Sequence, residues 1–246
     1  MLGLEGLGTT ELVVVLLAAV LGGALQSTLG FGASFTLVPA LAVVAPELLP
    51  GSVVVAIIPM SVLMLLRDRR GIDAPAVGRV ALGRLPGIVA GGVIVALLPL
   101  RWLTVTIALV LLAAVASVAA GWRLAVTRRR EVAAGIVSGI TGTAAALGGP
   151  PLAVLYRDTT GPTLRPTLAG VWLIGSVPVL ISLALAGSFN GLQAEVGVVL
   201  AVAMVLGLSL AAPGVGRIDD ATLRRLVLGW AGVGAVMAIG RALVGV

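Results

Sequence analysis

The chain has 246 residues, of which 59% are hydrophobic and 11% charged, and its apolar runs recur at about the 20-residue length that a bilayer core demands, so no soluble domain is expected. Its 16 basic residues are all arginine and outnumber 10 acids, but they lie between apolar runs and aromatic residues make up only 3% of the chain, which reads as membrane topology and not as nucleic-acid binding. The lack of Cys and His excludes disulfides, thiol redox chemistry, imidazole proton relays and zinc sites.

The stretch from Met1 to Glu5 lacks a basic n-region, so a cleaved signal peptide is not expected. Apolar segments then follow over 11–45 (interrupted near 27–33), 51–66, 78–99, 102–122, 132–156 (interrupted near 147–151), 164–187, 192–211 and 222–245. The fold class is therefore an all-α integral membrane protein with about eight embedded segments. It is expected to form one transporter domain over 1–246, with a first repeat over 11–123 and a second over 131–245. The basic stretch from Arg123 to Arg130 marks the boundary, and its shortness implies that the halves pack as one unit.

The repeat rests on two broken-helix signatures. The first runs from Leu29 through Gly30, Gly32 and Ser34 to Pro39; the second runs from Thr141 through Gly142, Gly148 and Gly149 to Pro150 and Pro151. An offset of about 112 positions aligns Gly30 with Gly142 and Pro39 with Pro151. Irregular backbone at bilayer depth survives only where protein or a polar cavity covers it, which makes the breaks the expected substrate site of a carrier.

Charge distinguishes two ways of laying out the broken segments. If each is a hairpin returning to its own side, fourteen arginines lie inside and only Arg101 and Arg241 lie outside; the two halves then have inverted topology. If each is instead a full but kinked span, Arg101, Arg157, Arg165, Arg217, Arg224 and Arg225 all fall outside, a poor positive-inside balance. Glu5, Glu11, Glu47 and Glu195 fall outside in the hairpin arrangement.

Glycine frees the backbone at such breaks, and Pro150 or Pro151 suits the first turn of a restarting helix. Two half-helix N-termini meeting from opposite sides would form an anion site without any charged side chain. Gln26, Ser27, Thr28 and Ser34, with Ser138, Thr141 and Thr143 from the second copy, add uncharged hydrogen-bonding groups beside the breaks. The plainer reading of any one of these hydroxyls is a bond back to the preceding turn. Tyr156, next to Arg157, is a candidate lining of the inner mouth. The expected substrate-binding set is thus Gln26, Ser27, Thr28, Gly30, Gly32, Ser34, Pro39, Thr141, Gly142, Thr143, Gly148, Gly149, Pro150, Pro151 and Tyr156.

Other features favour structural roles. Gly83, Gly87 and Gly91 form a small-xxx-small ladder suited to close helix packing. Arg79 and Arg84 sit at the start of their segment, where snorkelling avoids the cost of about 2.5–3.5 kcal/mol for a centrally placed Arg. Trp102, Trp122, Trp172 and Trp230 read mostly as interfacial anchors. No segment centre carries Asp, Glu or His, so no proton-coupling group stands out. Without a nucleophile–base pair, a metal-ligand cluster or a phosphate loop, neither an enzyme nor a cofactor is expected.

The pair Gly30-Phe-Gly-Ala-Ser-Phe-Thr-Leu-Val-Pro39 and Gly148-Gly-Pro-Pro-Leu-Ala-Val-Leu-Tyr156, each opening one half of a chain of this length, resembles the sulfite exporter TauE/SafE family of bacterial permeases. The resemblance implies transport of a small sulfur-containing anion, such as sulfite, thiosulfate or an organosulfonate, across the plasma membrane. It also implies that Gly30, Gly32, Pro39, Gly148, Gly149, Pro150 and Pro151 are signature positions. Ala33 and Ser34 stand where many relatives continue with glycine. The expected partners are a small anion and the lipid bilayer, with a homo-oligomer left open. The alternatives are a carrier of another small organic anion and a membrane-embedded structural subunit that transports nothing.

Overall fold

The computed structural model describes residues 8–121, 124–159, 161–211 and 220–244. Glu5, Trp122, Arg123, Arg217 and the side chain of Arg224 lie outside the described residues. The described residues form helices and no strands: α1 (Thr9–Leu29), α2 (Ala33–Val44), α3 (Gly51–Asp68), α4 (Ala74–Leu97), α5 (Leu100–Ala119), α6 (Arg128–Ala145), α7 (Gly149–Leu155), α8 (Gly161–Leu185), α9 (Gly191–Ala211) and α10 (Asp220–Val244). Short 3₁₀ turns at Pro46–Leu48 and Arg69–Gly71 flank α3. Seven of these helices are long and apolar enough to cross a membrane; α2, α6 and α7 are not among them. Helices are the natural outcome for such sequences, because a bilayer offers the backbone no partners and each segment must satisfy its own N–H and C=O groups.

The eight apolar segments appear as expected, with the two broken ones each split into a pair of helices. Two starts lie four residues earlier than hydropathy suggests, Ala74 against 78 and Arg128 against 132. The Asp73 carboxylate accepts from the Ala76 N–H at 2.9 Å, with Pro75 in the first turn, and starts α4 at Ala74. The Thr127 hydroxyl accepts from the Arg130 N–H at 3.3 Å and starts α6 at Arg128. Side-chain capping of orphan N–H groups extends both helices into polar sequence.

Both breaks reverse the chain. In the first, Gly30 (φ 80°) and Gly32 (φ 128°) occupy backbone conformations that L side chains rarely adopt. Beyond them α2 folds back on α1, so that the Ala33 N–H donates to Gln26 Oε1 at 3.1 Å. In the second, Ala146 takes the left-handed conformation (φ 54°) at the end of α6, and α7 folds back so that Tyr156 reaches Glu131. The second interruption therefore lies at 146–148 and not at 147–151. Gly149, Pro150 and Pro151 belong to the first turn of α7, where a missing proline N–H costs nothing.

Contacts between helices fix two ends of the molecule. At one end, Arg165 pairs with Asp68, the Asp73 N–H donates to Thr167 Oγ1, and Arg79 pairs with Glu131. At the other, Gln193 Nε2 donates to the Glu47 carbonyl and Arg101 to the Leu243 carbonyl. Helices α3, α4 and α8 run between these ends. The first hairpin is rooted at the second end, where Arg241 donates to the Val43 carbonyl, and the other hairpin is rooted at the first. The hairpin arms pack across the sequence: α6 lies against α4, and α1 against α9. Small residues allow this, since a Cβ on Gly83 or Gly87 would overlap the Val132 or Ile136 carbonyl, and one on Gly23 the Met204 carbonyl.

Candidate functional site between the hairpin tips

The two tips meet near the middle of the bundle, where a Cβ built on Gly149 would lie 3.6 Å from Phe31 Cβ. Between them is a cavity of about 50 Å³. The first hairpin contributes Gln26, Phe31, Gly32, Ser34 and Phe35 to its wall, and the second contributes Gly142, Ala146, Gly148, Gly149 and Pro150. Val54 and Ile57 of α3, Trp172, Ser176 and Val179 of α8, and Arg84 of α4 complete it.

Arg84 gives the cavity its chemistry. It lies ten residues into a 24-residue helix and is 4% exposed, so it does not snorkel to an interface. That corrects the expectation of a terminal arginine. The early start of α4 at Asp73 pushes residue 84 roughly 15 Å along the helix axis. Nη1 donates to Ser138 Oγ at 2.7 Å, and the Ser138 hydroxyl donates onward to the Gly148 carbonyl at 2.7 Å. The guanidinium carbon stands 5.2 Å from the centroid of the Trp172 ring, a cation–π distance. Nε is buried without a hydrogen-bond partner, as is the indole Nε1 of Trp172. Among the described residues no carboxylate pairs with Arg84.

Three glycines make the seat. A Cβ at Gly175 would come within 2.7 Å of Arg84 Nε, one at Gly148 within 3.0 Å of Nη1, and one at Gly142 within 3.5 Å of Nη2. Gly148 has an ordinary helical backbone (φ −72°, ψ −16°). Gly142 and Gly148 of the second signature therefore provide space for a guanidinium, where backbone freedom was the expected reason.

Of the expected set, Gln26, Gly32, Ser34, Gly142, Gly148, Gly149 and Pro150 line the cavity. The others lie elsewhere. Ser27 is held by Arg67, with Nη1 donating to its hydroxyl at 2.9 Å. The Thr28 hydroxyl bonds back to the Leu25 carbonyl at 2.9 Å, and Gly30 packs on Arg165. Pro39 lies against Gly234 of α10. Thr141 donates to the carbonyls of Val137 (3.0 Å) and Leu147 (2.9 Å), staying within its own hairpin. Thr143 is buried beside Gly91 without a partner, and Pro151 lines an apolar groove against α5. The Tyr156 hydroxyl donates to Glu131 Oε1 at 2.8 Å, joining a buried network with Arg79.

Arg84, Trp172, Ser176, Phe31 and Phe35 also line the cavity and stand outside the expected set. One signal was available for Arg84. It follows Gly83 in the glycine ladder, so it lies beside a helix face pressed against a partner. At the half-helix ends expected to attract an anion, Gln26 Oε1 already accepts from the first N–H of α2, and α7 has only seven residues.

The described residues thus form a multi-pass helical bundle in which a small, largely apolar cavity with one buried arginine lies between opposed hairpin tips. The family description "Sulfite exporter TauE/SafE" matches residues 15–238, a range that takes in both hairpin tips, Arg84 and Trp172, and the chain belongs to that family. No curated protein and no solved structure matches the chain.

Proposed function

We propose that the protein carries a small sulfur-containing anion, such as sulfite, thiosulfate or an organosulfonate, across the bacterial plasma membrane, with the cavity between the hairpin tips as its binding site. The observation that carries this reading is Arg84, a buried guanidinium that has no acid beside it among the described residues and an unpartnered Nε in a cavity wall. Burying such a charge costs several kcal/mol unless it is paired, and an anionic substrate is the pairing group. Gln26 and Ser34 supply further polar groups at the wall.

The carrier works by alternating access of two inverted halves, 11–123 and 131–245. This is supported by the pairing of helices across the chain. Exchanging α1–α5 with α6–α10 turns the α4–α6 contact into α9–α1 and the α3–α9 contact into α8–α4. Arg67, Arg69, Arg70, Arg79, Arg128, Arg129, Arg130, Arg157 and Arg165 cluster toward the end where Asp68 meets Arg165, which supports reading that end as cytoplasmic by the positive-inside rule. Cysteines placed at Thr127 and Gly161 should both resist an impermeant maleimide in intact cells and react after lysis. Labelling of one and not the other in intact cells contradicts the hairpin topology.

Calorimetry on purified protein tests the site. Arg84→Gln should weaken sulfite binding by about 2–5 kcal/mol, the range for truncating one partner of a buried charge pair. Unchanged affinity in a folded Arg84→Gln protein would defeat the assignment. Binding of carboxylates in preference to sulfur anions would favour a carrier of another organic anion, and no anion binding at all would favour a non-transporting structural subunit.

A further inference from the structure

We infer that the site selects the charge state of its ligand and takes a singly charged sulfur oxyanion, such as bisulfite or an alkanesulfonate, over a dianion. This rests on the proposed anion site and specifies what that site holds. Among the residues lining the cavity, Arg84 is the sole ionisable side chain. The Ser176 hydroxyl is committed to the Trp172 carbonyl at 2.7 Å, and Gln26 Oε1 to the Ala33 N–H, so what remains for a ligand is one cation and a few neutral groups. The charged residues on the elements packed around Arg84 are otherwise engaged. On α4 itself Arg79 is paired with Glu131, which comes from α6 and also accepts from Tyr156; on α8 Arg165 is paired with Asp68. The remaining charges on α6 are Arg128, Arg129 and Arg130 in its first turn, all exposed.

One buried positive charge neutralises one negative charge. A second charge on the ligand would stay uncompensated in low-dielectric surroundings, where Coulomb terms are strongest. The rest of the wall is suited to an apolar group and unsuited to a second charge: Phe31, Phe35, Val54, Ile57 and Val179 face the same small space. A sulfonate head on Arg84 with a methyl-sized tail against these side chains matches both surfaces.

The test varies the ligand and keeps the protein intact. Calorimetry on the purified wild-type chain compares methanesulfonate, sulfate and sulfite between pH 6 and pH 8.5, a range in which guanidinium groups remain protonated. Methanesulfonate should bind about equally at every pH, and sulfate, a dianion throughout, about 100-fold more weakly. Sulfite should lose affinity about tenfold per pH unit above the second ionisation of sulfurous acid, because its bisulfite form disappears at that rate. Sulfate binding as tightly as methanesulfonate, or sulfite binding more tightly as pH rises, would overturn the charge-state selection while leaving the anion site in place. Failure of all three anions to bind at any pH would overturn both.

Discussion

The two hairpin tips look alike in sequence and are built on different physics. In the first, Gly30 and Gly32 are required by positive φ, and the chain turns within three residues; Gln26 then closes the turn by capping α2. In the second, the left-handed residue is Ala146, and the glycines at 142 and 148 are helical and leave space for the Arg84 guanidinium. One tip spends its glycines on shape and the other on room for a charge. The first should therefore respond to substitution mainly in stability and the second mainly in binding.

The comparison can be broken from either side. The larger effect is expected at Gly32→Ala, which forces a side chain into a conformation open almost only to glycine and sets its Cβ 3.2 Å from Leu25 Cβ. Strain of that kind costs about 1–3 kcal/mol, visible as a lower denaturation midpoint. Anion affinity of the folded fraction should change less than stability does. Gly148→Ala should show the converse. Its backbone accepts alanine, so the midpoint should move little, but the added methyl would sit 3.0 Å from Arg84 Nη1 and 3.1 Å from the Trp172 ring and displace the guanidinium. Sulfite affinity should fall by about tenfold, equivalent to about 1.4 kcal/mol. If both variants lose stability equally and Gly148→Ala keeps its affinity, the distinction between the tips is wrong.

Much of the fold was legible because a bilayer makes stringent demands. Span length, the need for self-satisfied backbone and the Gly/Pro punctuation located all eight segments and both breaks to within a few residues. The second break was misplaced because prolines tolerated in the first turn of a helix resemble prolines that interrupt one. Of the candidate site, the part local to the breaks was legible. Gln26, Gly32, Ser34, Gly142, Gly148, Gly149 and Pro150 could be taken from the signatures because they are local to the breaks. Trp172 could not, and Arg84 only through its place after Gly83 in the glycine ladder, since their positions depend on how distant parts of the chain meet. Asp73 sets the start of α4 and so the depth of Arg84, while Gly142, Gly148 and Gly175, from two other regions, together leave the space it fills. Charge counting by segment treats Arg84 as one more cytoplasmic arginine, and only the packing of α4 against α6 and α8 turns it inward.

Arg84 is proposed to receive the substrate between the two tips. The most direct measurement is a structure of the protein with selenite, whose selenium scatters anomalously and whose shape follows that of sulfite, at mildly acidic pH. An anomalous peak is expected in the cavity beside Phe31, Gly148 and Trp172, with ligand oxygens about 2.7–3.2 Å from the Arg84 guanidinium nitrogens. An ordered peak at the basic end around Arg67 and Arg165, with none beside Arg84, would contradict it.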